Sequence, residues 1–256
     1  VCLILFAVGS HPIYKLVIAA NRDEFYERPS APASFWPDAP HLFAGRDLRA
    51  GGTWLGVTRK GRIAAITNYR DPASMKMNAP SRGELVTNYL LGDESPLEYL
   101  NDLEGRGKEY NGFNLIVGTE DVLCWYSNRG DGVYPIAPGV HGLSNHLLDT
   151  PWPKVSRGKE ALARLLSEGR ELSPEALFQI LLDRSIAPDE KLPDTGVGTQ
   201  MERLLSPLFI TISDYGTRSS SVVLVDRQDR VTFVERTYDP GPERGITRTC
   251  EFSIEK

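Results

Sequence analysis

At 256 residues the chain is long enough for one large domain or two small ones, with a full hydrophobic core. Apolar residues at 41%, charged residues at 25%, 23 Gly and 18 Pro lie near globular averages, which excludes disordered, collagen-like and disulfide-scaffold classes. A net charge of −5 without any block of Lys or Arg argues against a nucleic-acid partner.

No run approaches the ~18 apolar residues of a membrane-spanning helix. The opening VCLILFAVGS is short and has no preceding basic segment, so a signal peptide is not expected. Cys2, Cys124 and Cys250 are too few and too scattered for a disulfide framework, and no CxxC or HxxxH spacing offers a metal cage. The expectation is a protein of the reducing cytoplasm with no metal and no cofactor.

In chain order, apolar runs at 2–8 and 15–20 flank the turn formers Gly9, Ser10, His11 and Pro12, which predicts a hairpin. Residues 28–40 are Pro-rich and read as irregular chain packed on the surface. Residues 52–58 and 62–68 read as two more paired strands. Helical spacing begins after Ser81 with Leu85, Tyr89 and Leu90, and continues over 96–103. Strand-like runs at 112–117, 122–126, 132–136 and 139–144 suggest a second sheet segment. Helices follow over 154–167 and 174–185, the latter opened by Ser173 as cap and Pro174 in the first turn. Strands return at 208–213, 219–225 and 231–235, and the chain after Tyr238 is weakly patterned. Blocks of strands and helices without regular βα alternation point to a layered α+β fold. With no repeat and no linker, residues 1–256 are read as one domain.

Cys2 has the clearest chemical potential. A cysteine behind the first residue becomes N-terminal when that residue is removed, and its α-amine, with a pKa near 7.7–8, then serves as base for its own thiol. The competing reading is a small buried hydrophobe opening an apolar strand. A valine at position 1 fits two cases: a valine codon used as start, which inserts a removable methionine, or a retained valine that blocks the amine. His11, His41, His141 and His146 have no triad partner nearby in sequence. Arg22 and Asp23 leave the strand after Asn21, where Arg22 can lower a thiol pKa and Asp23 can orient an ammonium, or both are a solvated turn. The glycine-dense stretch 45–56 lacks the Lys-Ser/Thr of a phosphate loop and carries Trp54, either a core residue or a ligand wall. Asn68 and Asn145 each stand at a strand exit, as oxyanion donors or as ordinary turn residues. The hydroxyl-rich run Tyr215 to Ser221 adds Arg218.

These blocks together resemble the NRDE family, also called the transport and Golgi organisation protein two family. The resemblance rests on VCLI at the start, ANRDEF at 20–25 with Arg28-Pro29, GGTWLG at 51–56, TNYRD at 67–71, SRGELV at 81–86, GFNL at 112–115, GLSN at 142–145 and YGTRSS at 215–220. It implies an N-terminal-nucleophile hydrolase-like fold, a four-layer αββα sandwich of two antiparallel sheets. It also implies a likeness to cysteine amidohydrolases of the bile-salt hydrolase and penicillin acylase type. Their catalytic roles would fall here to Cys2, Arg22, Asp23, Asn68 and Asn145. That group has residues between its Arg and Asp, whereas Arg22 and Asp23 are adjacent. Arg218, Trp54 and Tyr69 are candidates for contact with a small-molecule substrate or ligand. Two functions are carried forward: a cysteine hydrolase of a non-peptide amide or related acyl bond, and a non-catalytic carrier of haem or an acyl thioester in the same cleft.

Overall fold

The computed structural model describes residues 2–238 and 245–255. Strands β1 (Cys2–Val8) and β2 (Tyr14–Phe25) form the expected hairpin. It closes through Gly9, whose φ of +60° suits a residue without Cβ. Side chains alternate along β1: Ile4, Phe6 and Val8 enter one apolar cluster, while Leu3, Leu5 and Ala7 enter another. A strand apolar on both faces needs a covering layer on each side.

Residues 28–40, read as irregular, instead supply β3 (Ser30–Trp36) and the start of β4 (Ala39–Asp47). Pro32 is tolerated because β3 is an edge strand and its pairing with β4 shifts register between Ala31 and Ser34, so no ladder needs the missing N–H. The chain continues through β5 (Leu55–Thr58), β6 (Ile63–Asn68), α1 (Gly83–Leu91) and α2 (Pro96–Arg106). A capping box starts α2: Glu98 N–H donates to Ser95 Oγ and Ser95 N–H to the Glu98 carboxylate. Next come β7 (Phe113–Gly118), β8 (Leu123–Ser127), β9 (Val133–Pro135) and β10 (Gly139–Leu143). Helices α3 (Pro153–Leu166), α4 (Pro174–Leu181) and the short α5 (Thr199–Leu204) precede β11 (Tyr215–Asp226), β12 (Arg230–Tyr238) and β13 (Gly245–Ser253).

One antiparallel sheet has the order β10-β1-β2-β11-β12-β13, the other β3-β4-β5-β6-β7-β8-β9. Helices α3 and α4 cover the outer face of the first, α1 and α2 that of the second. The result is the expected four-layer αββα sandwich, with one apolar cluster between the sheets and one beneath each helical layer. Three further elements differ from the sequence reading. The run 139–144 leaves its sequence neighbours and pairs with β1. The run 208–213 is no strand, although Thr211 makes a single bridge to Gly216. The weakly patterned tail becomes β13, paired along β12. Among the described residues no helix is long and apolar enough to cross a membrane.

Candidate active site

Cys2 opens β1 opposite Arg22 of β2, and the pairing places both on the face that looks toward the second sheet. Consecutive strand residues project to opposite faces, so Asp23 turns toward the helical layer, where its carboxylate accepts a hydrogen bond from Thr217 Oγ1 at 2.7 Å. The adjacent pair is thereby divided: Arg22 addresses the inter-sheet side, Asp23 the strand end and the helices. The guanidinium of Arg22 lies 4.1 Å from the centre of a Trp54 ring and 3.8 Å from Asp47. Its Nη1 is buried with no hydrogen-bond partner among the described residues.

Two strand exits, one from each sheet, are stapled beside Cys2. Asn145, after β10, donates from Nδ2 to the Asn68 carbonyl at the end of β6 at 2.9 Å, and Arg70 N–H donates to the Asn145 carbonyl at 2.8 Å. Ser144 Oγ donates to the Cys2 carbonyl at 3.0 Å, and Thr67 Oγ1 to the Ser144 carbonyl at 2.6 Å. The backbone carrying the thiol is therefore held by both sheets.

Above it opens a cleft of about 510 Å³, lined by Cys2, Arg22, Asp23, Trp54 and Asn68, and also by Glu24, Arg28, Asp47, Arg49 and Arg82. Five sequence candidates thus meet in one cavity, and three do not line it. Asn145 is fully buried and its amide serves the Asn68 carbonyl, so it positions Asn68 instead of facing the cleft. The Tyr69 ring packs against His146 with centroids 5.0 Å apart and planes tilted by 37°. Arg218 is the bulged residue between Thr217 and Ser219, and its Nη1 donates to the carbonyls of Phe25, Tyr26 and Arg28, clamping the chain after β2.

Burial governs the ionisation. Desolvation pushes the Cys2 thiol above its ordinary value, and the Asp23 charge adds to that, while Arg22 opposes it. Desolvation likewise raises Asp23 and lowers Lys154, an opposed pair that moves together toward neutrality. Lys154 is a residue that motif reading missed. Its position on α3, one turn before Gly158 and two before Leu162, is part of the buried stripe, and a charge on an apolar stripe is the signal that could have found it. Arg70 pairs with buried Glu202 in the same layer. Arg82, not among the sequence candidates, also lines the cleft: Nη1 donates to the Gly112 carbonyl at 2.9 Å, and it forms no ion pair among the described residues. Nor do the described residues include a cluster of His, Cys, Asp and Glu placed to hold a metal ion.

Among solved structures, a Caenorhabditis elegans orthologue of N-acylethanolamine-hydrolyzing acid amidase superposes with a TM-score of 0.52 at 12% identity, covering 87% of this chain and 92% of that one. The C2A mutant of conjugated bile acid hydrolase from Clostridium perfringens superposes with a TM-score of 0.51 at 7% identity, covering 100% and 97%. At such identities the likeness is one of fold, the N-terminal-nucleophile hydrolase fold. In sequence, the Bos taurus homologue of Transport and Golgi organization protein 2 is 40% identical over 99% of both chains, and the Drosophila melanogaster protein 31% identical over 92% of both. The family model described as Transport and Golgi organisation 2 matches residues 1–240, and the chain belongs to that family.

Proposed function

We propose that the cleft is the active site of a cysteine hydrolase that cleaves a non-peptide amide or related acyl bond. The observation that carries this reading is the meeting of Cys2, Arg22 and Asn68 in one cavity at the end of β1. Both solved neighbours are named as hydrolases, one of them an amidase.

In this mechanism residue 1 is absent and the amine of Cys2 is free. A thiol raised by burial is mostly protonated near neutrality, so it needs a base, and the amine of the same residue takes its proton. The sulfur attacks the substrate carbonyl, forming the C–S bond and an oxyanion that accepts a hydrogen bond from the Asn68 amide. Collapse breaks the C–N bond, and the leaving nitrogen takes the proton from the ammonium. Water then cleaves the thioester, returning the thiol and releasing the acid. Arg22 opposes the cost of the thiolate through its charge.

The cleft also suggests the character of the substrate. Arg28 is occupied by Asp47 at 2.7 Å and approaches Glu24 at 3.8 Å, whereas Arg82 has no such partner. An acyl compound carrying a carboxylate or other anion suits this arrangement. Carriage of haem or an acyl thioester without turnover would draw on the same cations. Two measurements separate the readings, and a third tests the cation that both would use. Intact mass is expected to show residue 1 removed. Hydrolysis of N-acyl amides is expected to disappear in Cys2→Ala. Iodoacetate, relative to iodoacetamide, is expected to alkylate Cys2 about tenfold faster in wild type than in Arg82→Gln. Quantitative retention of residue 1 together with turnover surviving Cys2→Ala would overturn the hydrolase; a haem titration that changes the Soret spectrum stoichiometrically would favour the carrier.

A further inference from the structure

Trp54 belongs to three cavities at once. It lines the cleft with Cys2, a void of about 10 Å³ with Cys2 and Ser221, and a separate pocket of about 170 Å³ with Ser219 and Glu235. Strand register explains the sequence of spaces. Cys2, Arg22, Ser219 and Thr237 are paired neighbours on four successive strands, and Ile4, Ala20, Ser221 and Glu235 form the next row. Both rows face the second sheet, and farther along the same face the row of Phe6, Ile18, Val223 and Phe233 is wholly apolar. This face of the first sheet is therefore apolar along that row and polar at this end, where a polar row runs from the thiol beneath Trp54 into the pocket.

The pocket carries polar atoms without internal use. Ser219 is 3% exposed and Glu235 1% exposed, and among the described residues neither Ser219 Oγ nor Glu235 Oε2 has a hydrogen-bond partner. The other carboxylate oxygen is fixed by the Ala33 N–H at 2.6 Å, which orients the group. Buried atoms of this kind are costly unless a ligand or water completes them, and the volume far exceeds the ~10–15 Å³ that one water needs. Charge limits what completes them. Arg218 at the wall, and Arg22 on the far side of Trp54, oppose a cation, and Glu235 opposes an anion.

We infer that the pocket behind Trp54 is a second subsite of the Cys2 cleft, receiving an uncharged group that both donates and accepts hydrogen bonds, such as a primary carboxamide, from the non-reacting end of the substrate. Ser219 and Glu235 read that group, and Trp54, held against Arg22, is the partition over which the substrate lies. Strand spacing of ~4.8 Å puts Ser219 roughly 10 Å from Cys2, which sets the length of chain that joins the two ends. The inference rests on Cys2 as the reacting group, and its test separates the two.

The probes are N-alkyl iodoacetamides spanning about 10 Å that end in carboxamide, methyl or ammonium, with Cys2→Ala as the labelling background. The carboxamide reagent is expected to alkylate Cys2 about tenfold faster than the methyl reagent, and Ser219→Ala to remove most of that preference while unsubstituted iodoacetamide reacts as before. Independently of the thiol, acetamide added to the Cys2→Ala protein is expected to lower the titration midpoint of the Glu235 carboxyl carbon resonance by about half a pH unit. A shifted Glu235 with no labelling at Cys2 would support the pocket and remove its link to the nucleophile. Equal rates for the three reagents with an unmoved Glu235 would overturn the subsite, and preference for the ammonium reagent would overturn its assigned chemistry.

Discussion

Glu235 titrates far from its ordinary range because burial disfavours its charge more than the Ala33 N–H and Arg22 favour it, and the group is pushed from 4.5 up to about 7. The folded state therefore holds this proton more tightly than the unfolded chain. The resulting stabilisation is complete below pH 4.5 and is lost as pH rises through about 7, a change of roughly 3 kcal/mol. Glu235→Gln has no proton to lose, so urea denaturation is expected to show wild type losing roughly this amount relative to the variant between pH 4.5 and 8. A constant difference across that range would mean the carboxyl is solvated. Cys2 behaves in the same sense: its alkylation rate is expected to rise along a pH curve whose midpoint lies above that of an ordinary thiol, read by mass spectrometry against Cys2→Ala.

Elements meet at this site through close approaches that leave no room for added atoms. A Cβ on Gly158 would lie 2.7 Å from both methyl carbons of Leu5, the contact that lays α3 on β1. Gly158→Ala gains up to about 1 kcal/mol of helix propensity but forces this contact apart at about 1–3 kcal/mol, so net destabilisation is expected in thermal or urea unfolding. A Cβ on Gly52 would meet the backbone of Gly83 at 2.6 Å, so Gly52→Ala must displace the start of α1 from the loop before β5, with Arg82 beside it. Its expected signature is a lower alkylation rate at Cys2 as well as reduced stability. Asn145→Ala removes the donor that joins the exits of β10 and β6; a cost of about 1–3 kcal/mol is expected, with slower alkylation of Cys2 although Asn145 does not line the cleft.

At the scale of the molecule, stability rests on the layer between the sheets, where Phe233 packs on Phe43 with ring centres 5.1 Å apart and is 1% exposed. Phe233→Ala is expected to cost about 3–5 kcal/mol in urea denaturation while leaving the polar end of the same layer in place. Alternation and turn residues made the first hairpin, β5 with β6, and the main helices legible, because such signals are local. They failed for β3, where an edge position and a bulge accommodate Pro32, and for β13, whose exposed residues carry little periodicity and whose place is set by the ladder of β12. They failed also for β10, since nothing within 139–144 states that its partner is β1, at the other end of the chain.

The sequence by itself determined the family and the layered α+β class, and singled out Cys2, Arg22, Asp23, Trp54 and Asn68 as candidates, because motif blocks and strand periods are properties of neighbouring residues. Only tertiary structure decided which of the candidates share a cavity. Asn145 and Arg218 are turned to backbone carbonyls, Arg82 comes in from the start of α1, and Lys154 and Glu235 are buried charges whose ionisation depends on neighbours distant in sequence. The reason is physical: a side chain's role here is set by the face its strand presents and by what the opposite layer offers, and both are fixed only when the two sheets pack.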